Sequence, residues 1–209
     1  MSIAGIVLAG GQSRRMGGGD KCLRLLCGKP ILAHIIARAR PQVSALALNA
    51  NGEAARFASF GLPVVSDSVP DFAGPLAGIL AGLDWAAALE PVCSHVASFA
   101  GDAPFLPPDL VARLAGALAE GNDLAAACSL GQAHPVFGIW PVALRGALRR
   151  AMTEEGLRKV DQWTARYSLA LVDFPAVPVD PFFNLNHPAD LAEAERLAAA
   201  RDASFFVGG

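Results

Sequence analysis

Ile3-Ala4-Gly5-Ile6-Val7-Leu8-Ala9-Gly10-Gly11-Gln12-Ser13-Arg14-Arg15-Met16-Gly17-Gly18-Gly19-Asp20-Lys21 joins a short apolar run to a glycine-rich, basic turn. The run reads as a buried strand over about Ile3 to Leu8. Glycines let backbone N–H groups approach an anion closely, and several such N–H groups in succession form a concave nest. Arg14, Arg15 and Lys21 add full positive charges to the same loop, which makes a triphosphate a natural ligand. An ordinary strand-to-helix turn explains two glycines, but not five together with three cations. Two common phosphate motifs do not match. Lys21 lacks the flanking Gly and Ser/Thr of a P-loop, and no Gly-x-Gly-x-x-Gly opens a helix after the first strand.

Outward from this segment, strand-like and helix-like stretches alternate. Strands are expected at about Val43 to Leu48, Leu62 to Val65 and Val96 to Ala100. Helices are expected from Pro30 to Arg40, Pro75 to Leu89 and Pro107 to Ala119. Leu76, Ile79, Leu80 and Leu83 show the three- and four-residue spacing of a helix face. In the second half, Leu124 to Cys128 and Val136 to Trp140 are strand candidates separated by Gly131 to Pro135, which suggests an antiparallel pair. Helical stretches at Val142 to Met152 and Leu157 to Arg166, a strand at Leu169 to Phe174 and a helix at Pro188 to Arg201 complete the chain. The pattern predicts an α/β fold: a mostly parallel sheet with helices on both faces, Rossmann-like, and an antiparallel element in the C-terminal half. Ligands of such sheets bind outside the carboxyl ends of the strands, and each motif below follows a predicted strand.

The 209 residues fit a single domain with a substantial core, and 53% hydrophobic against 17% charged residues is a globular composition. A net charge of −2 gives no general attraction to nucleic acid or anionic membrane, so neither is expected as a partner. Cys22, Cys27, Cys93 and Cys128 have no C-x-x-C spacing and read as reduced thiols of a cytoplasmic protein. The apolar N-terminal run breaks at Gly10, too short for a signal peptide, and no stretch has the length of a spanning helix.

Several residues carry candidate chemistry. Asp102, in Ala100-Gly101-Asp102-Ala103-Pro104-Phe105, ends a strand, where a carboxylate can hold Mg²⁺ against nucleotide phosphates or simply cap a turn. Asp67 and Asn49 follow strands; taken alone, Asp67 reads as a turn aspartate, and Asn49 as either a turn former or an amide offered to a purine edge. Gly74-Pro75-Leu76-Ala77-Gly78 opens a helix whose positive end can face a ligand, or whose glycines serve packing. Asn184 and Asn186 flank Leu185 and can face one cleft if extended, although Asn186 can also be a helix cap. Arg158 and Lys159 follow Gly156 and can be a solvated face. The four histidines share no metal or triad spacing, and Ser13 lacks a G-x-S-x-G context, so none receives a catalytic role.

The segment from Leu8 to Lys21 resembles the L-A-G-G-x-S-x-R-M-G-x-x-D-K signature of the molybdenum cofactor guanylyltransferases, within the nucleotidyltransferase superfamily. The resemblance extends through G-P-L-A-G at Gly74 to Gly78 and G-D-x-P-F at Gly101 to Phe105, and is firmest in the first half. It implies transfer of GMP from GTP to the phosphate of molybdenum-bearing molybdopterin, giving the guanine dinucleotide cofactor and pyrophosphate. It implies one nucleotidyltransferase domain over 1–209, with a nucleotide-binding half (1–119), an acceptor-binding half (120–201) and a tail (202–209). Leu8, Ala9, Gly10, Gly11, Lys21, Asn49, Asp67, Gly78 and Asp102 become nucleotide contacts. Arg15, Lys21 and Asp102 become the catalytic set, with Asp102 the Mg²⁺ ligand, and Arg158, Lys159, Asn184 and Asn186 become acceptor contacts. Transient contact with proteins that deliver or take up the cofactor is also implied. The alternatives are a cytidylyltransferase or sugar-phosphate nucleotidyltransferase of the same fold, or a non-catalytic GTP-binding carrier. Relatives that use CTP tend to have alanine where this chain has Gly11. Gly11→Ala is therefore expected to lower kcat/KM for GTP more than for CTP. A methyl clash of about 1–3 kcal/mol corresponds to roughly 5- to 150-fold in the ratio; equal losses with both nucleotides would assign Gly11 to loop geometry instead.

Overall fold

The computed structural model describes residues 1–10, 20–69 and 74–200. Gly11, Arg15 and the 202–209 tail, all named above, lie outside the described residues. A seven-stranded sheet is built from β1 (Ile3–Leu8), β4 (Ala45–Asn49), β5 (Val64–Val65), β6 (His95–Ala100), β7 (Leu124–Ser129), β8 (Gln132–Pro141) and β9 (Leu169–Asp173). Its order is β5-β4-β1-β6-β8-β7-β9. β1 pairs in parallel with β4 and β6, β4 with β5, and β7 with β9, while β8 runs antiparallel to both of its neighbours. The mostly parallel sheet with an antiparallel element in its C-terminal half is the architecture the sequence pattern predicts.

Period-2 alternation sorts each strand between two helical layers. On one face, Val7, Leu46, Leu48, Phe99 and Ala125 pack with α1 (Ile31–Ala39), α3 (Leu110–Ala119) and α6 (Pro188–Ala200). On the other, Ala4, Ile6, Ala47, Val96 and Leu124 pack with α2 (Pro75–Ala87), α4 (Arg145–Thr153) and α5 (Val160–Thr164). Helix α2 is pressed hard onto β1. A Cβ built on Gly82 would sit 2.8 Å from the Ile6 side chain, so a glycine is needed for the helix to lie this close. Among the described residues, no helix is long and apolar enough to cross a membrane.

The structure departs from the sequence pattern where a local feature overrides it. Leu157 to Arg166 reads as one helix, but only Val160–Thr164 is helical. Gly156 takes a left-handed φ of 68° and Lys159 is extended, which delays the start. Helix α3 begins three residues after Pro107, at Leu110. Gln42 fixes that start from afar, its Nε2 donating to the Pro107 carbonyl (2.9 Å) and its Oε1 accepting from Val111 N–H (2.9 Å). A small hairpin, β2 (Leu25–Leu26) with β3 (Lys29–Pro30), turns through Cys27 and Gly28, both at positive φ. Gly131 to Pro135 reads as a connector, but the turn is only Leu130–Gly131, also at positive φ, and Gln132 already belongs to β8. That correction places His134 on a strand rather than in a loop.

Candidate active site

Four parallel strands end in one row. Leu8 is level with Asn49 on one side and Ala100 on the other, and Asn49 is level with Val65. Every residue one or two positions past those ends therefore emerges at the same sheet edge: Ala9-Gly10, Ala50-Asn51, Ser66-Asp67 and Gly101-Asp102. The close approach is tightest at Gly101. Its N–H donates to the Leu8 carbonyl (3.1 Å), and a Cβ there would lie 2.5 Å from that oxygen. A larger residue would push the chain that carries Asp102 away from the end of β1.

The edge opens into a cleft of about 1360 Å³. Leu8, Ala9, Gly10, Lys21, Asn49, Asp67, Asp102 and Asn184, all drawn from the sequence, line it. At its centre Lys21 Nζ donates to Asp102 Oδ2 (2.7 Å) and to Asn186 Oδ1 (2.6 Å). The Leu185 N–H donates to the Asp102 carbonyl (2.9 Å), docking the Asn184–Asn186 segment beside the carboxylate. Leu185 is buried while both flanking amides are exposed, and the segment turns tightly rather than running extended, the Asn186 N–H donating to the Asn184 carbonyl (3.2 Å). Asn186 does not cap α6 with its side chain. Asp190 does so, accepting from the N–H groups of Asn186 and His187 at 2.7 Å each, the reach-back geometry of a capping box.

Asn49 and Asp67 meet as well. Asn49 Nδ2 donates to Asp67 Oδ1 (2.8 Å) and to the Val65 carbonyl (3.1 Å). Asn51, two residues past Asn49 and not singled out above, clasps Asp67 twice. Its Nδ2 donates to Oδ2 (2.7 Å) and its Oδ1 accepts from the Asp67 N–H (2.9 Å). The Asn-x-Asn spacing after a strand was the available signal, since alternate residues share a side. Arg56 was also missed. It lines the cleft, pairs with Asp20 (2.5 Å) and donates to the Asn51 carbonyl (2.7 Å). Nothing in its local sequence marks it, because its nearby partners are the backbone carbonyls of Asn51 and Glu53 and its carboxylate partner, Asp20, is distant in the chain.

Gly78 acts from behind the cleft wall. A Cβ there would run into the Asn49 carboxamide and come within 2.7 Å of Leu8 Cδ2. Gly78→Ala is expected to displace Asn49 from Asp67 and raise the nucleotide KM by roughly 5- to 150-fold, the range of an overpacking clash of about 1–3 kcal/mol. Steady-state kinetics with the nucleotide varied checks this, and an unchanged KM would remove Asn49 from nucleotide binding. Gly74 and Pro75 line the cleft at the start of α2, so the positive end of that helix dipole faces it.

Arg158 and Lys159 are exposed and lie outside the residues lining the cleft. Cys22 does line it, but burial pushes its thiol up to about 12, so it stays protonated and is no nucleophile at neutral pH. Among the described residues, no group of three or more His, Cys, Asp and Glu is placed to hold a metal. The donor set of one carboxylate, Asp102, suits a hard cation that keeps several waters and takes its other ligands from phosphates.

Residues 5–178 match the MobA-like NTP transferase domain. A molybdenum cofactor guanylyltransferase of Bradyrhizobium sp. (strain ORS 278) is 59% identical over 202 residues, covering 96% of this chain and 95% of the relative. One from Rhizobium meliloti (strain 1021) is 42% identical, covering 91% and 89%. The fold is shared with molybdopterin-guanine dinucleotide biosynthesis protein A from Archaeoglobus fulgidus (TM-score 0.76, 24% identity, 95% of this chain and 100% of that one). It is also shared with CMP:2-keto-3-deoxy-manno-octonic acid synthetase in complex with CTP (TM-score 0.71, 15% identity, 96% and 99%). On the family match across residues 5–178 and identities of 42–59% over nine-tenths of its length, the chain belongs to the MobA-like NTP transferase family and, within it, to the molybdenum cofactor guanylyltransferases.

Proposed function

We infer that this protein transfers GMP from GTP to the phosphate of molybdenum-bearing molybdopterin, releasing pyrophosphate and forming the guanine dinucleotide cofactor. The observation that carries the reading is the meeting of Lys21, Asp102 and Asn186 at the row of strand ends, one cation and one carboxylate in a cleft large enough for two substrates. An oxygen of the acceptor phosphate attacks the α-phosphorus of GTP. The bond from that phosphorus to the bridging oxygen of the β-phosphate breaks, and pyrophosphate takes the electron pair. A phosphate monoester has a second pKa of about 6 and arrives largely deprotonated, so no strong base is needed.

Alignment and charge neutralisation remain for the protein to supply. Leu8, Ala9 and Gly10 offer backbone to the nucleotide, and Asn49 and Asp67, braced by Asn51, present polar groups to its ribose or base. Lys21 swings between the Asp102 carboxylate and the phosphates. Asp102 would hold Mg²⁺, which when bound supplies Lewis-acid neutralisation of phosphate charge. Asn184 and Asn186 contact the acceptor. Pyrophosphate release measured with each component omitted tests the reading. Release that needs GTP, Mg²⁺ and the acceptor together supports it. Faster turnover of CTP or UTP would replace it with a different nucleotidyltransferase, and GTP binding without release would leave a carrier.

A further inference from the structure

On the far side of Asp102 from the nucleotide strands, the start of β8 forms the cleft wall with Ala133, His134, Pro135, Val136 and Phe137. His134 is held there by a chain of hydrogen bonds. Its Nε2 lies 2.7 Å from Ser129 Oγ, and Ser129 Oγ lies 2.9 Å from Asp180 Oδ1. We propose that His134 is an acceptor-substrate contact, its Nδ1 accepting a hydrogen bond from an N–H group of a heteroaromatic ring, with Ser129 and Asp180 as positioning residues. The proposal rests on the transferase reading above, because it assigns this wall to the second substrate.

The direction of the bonds follows from proton counting. Ser129 is 1% exposed and has a single hydroxyl proton. Asp180 is a carboxylate that can only accept, so that proton goes to Oδ1. Toward His134 the serine oxygen can then only accept, which puts the imidazole proton on Nε2. Nδ1 keeps its lone pair. Burial holds the imidazole below its usual range, against the pull of the Asp180 charge, which keeps the neutral form in place at neutral pH.

The ring is fixed as well as its tautomer. It packs on Phe182 at 4.7 Å between centroids, and Phe182 in turn packs on Phe137 (4.8 Å) and Phe174 (5.5 Å). The Phe182 N–H donates to Asp180 Oδ1 (3.0 Å), so the segment carrying the stacking partner also carries the positioning carboxylate. With its Nε2 side on Ser129 and one face on Phe182, the ring offers the cleft a lone pair, which repels a phosphate and suits the N–H edge of a flat ring. The acceptor under the transferase reading has such a ring, a pterin. Guanine has one too, but the residues that reach the nucleotide come from the ends of β1, β4 and β5, across the cleft.

Kinetics and nuclear magnetic resonance together test the assignment. His134→Phe keeps the stacking and removes both nitrogens. It is expected to raise the molybdopterin KM about 5- to 10-fold, as for one lost hydrogen bond, with the GTP KM within about twofold. His134→Asn places an amide oxygen near the Nδ1 position and is expected to restore most of that loss. Ser129→Ala is expected to raise the acceptor KM by a smaller factor and to leave kcat unchanged. In ¹⁵N-histidine-labelled wild-type enzyme, His134 is expected to show the Nε2–H tautomer, with an Nδ1 shift on adding molybdopterin and none on adding GTP. This readout does not depend on any variant folding. An unchanged acceptor KM in active His134→Phe, an Nδ1–H tautomer, or an Nδ1 shift with GTP alone would each overturn the proposal. A wild-type enzyme that releases no pyrophosphate from GTP and molybdopterin would overturn the transferase reading and this one together.

Discussion

Lys21→Ala is expected to reduce kcat by about 100- to 1000-fold, the usual cost of deleting one charge aimed at a developing anion in a closed site. The lysine reaches Asp102 at 2.7 Å and Asn186 at 2.6 Å, with its side chain only 13% exposed, so under the proposed function it is already held beside the metal-binding carboxylate. The fold should survive the change. Asp102 keeps 28% of its side chain exposed and can be solvated, and a partly exposed ion pair contributes about 1 kcal/mol or less to stability. Pyrophosphate release and thermal unfolding, measured on the same preparation, check the two halves of the expectation. A folded variant with near-normal turnover would remove Lys21 from the chemistry.

Asp102→Asn is expected to cost on the order of 100- to 1000-fold in turnover, since a bound cation is worth several kcal/mol of charge stabilisation. It should also move the divalent-metal titration to higher concentration. The amide keeps the shape of the carboxylate and can still accept from Lys21, but it lacks the charge that draws a hard cation. The backbone carbonyl of Asp102, which holds Leu185, is untouched by the substitution. Binding of Mn²⁺ in the presence of GTP, followed by electron paramagnetic resonance, separates the two variants. Lys21→Ala should retain the metal, and Asp102→Asn should lose it. An unchanged Mn²⁺ titration in Asp102→Asn would place the metal elsewhere.

The strand ends show how far local pattern reaches. The apolar runs of β1, β4 and β6, each followed by Gly, Asn or Asp, mark both the elements and the edge that opens into the cleft. Parallel strands must present their carboxyl ends together, so Leu8, Asn49, Asp67 and Asp102 could be gathered without knowing the sheet order. The second half was less legible. The Gly131 to Pro135 stretch looks like a loop because a Gly opens it and a Pro closes it, yet only Leu130 and Gly131 turn, and Pro135 is accommodated within β8. Arg158 and Lys159 carry charge in a suggestive place in the chain, but the late start of α5 leaves them exposed away from the cleft.

By itself the sequence determined the alternation of strands and helices and the carboxylate at the end of β6. These are properties of short windows, set by side-chain periodicity and backbone freedom. Only the tertiary structure decided which of those residues touch. Lys21 meets Asp102 across 81 residues and Asn186 across 165. Ser129 orders His134 through Asp180, 51 residues further on. Asn51 and Arg56 become part of the cleft because Asp67 and Asp20 are folded against them. Such contacts depend on strand register and on the antiparallel insertion of β8, which are settled by how the two faces of the sheet bury their helices. No local window contains that information, because the free energy that fixes it is shared among residues distant in the chain.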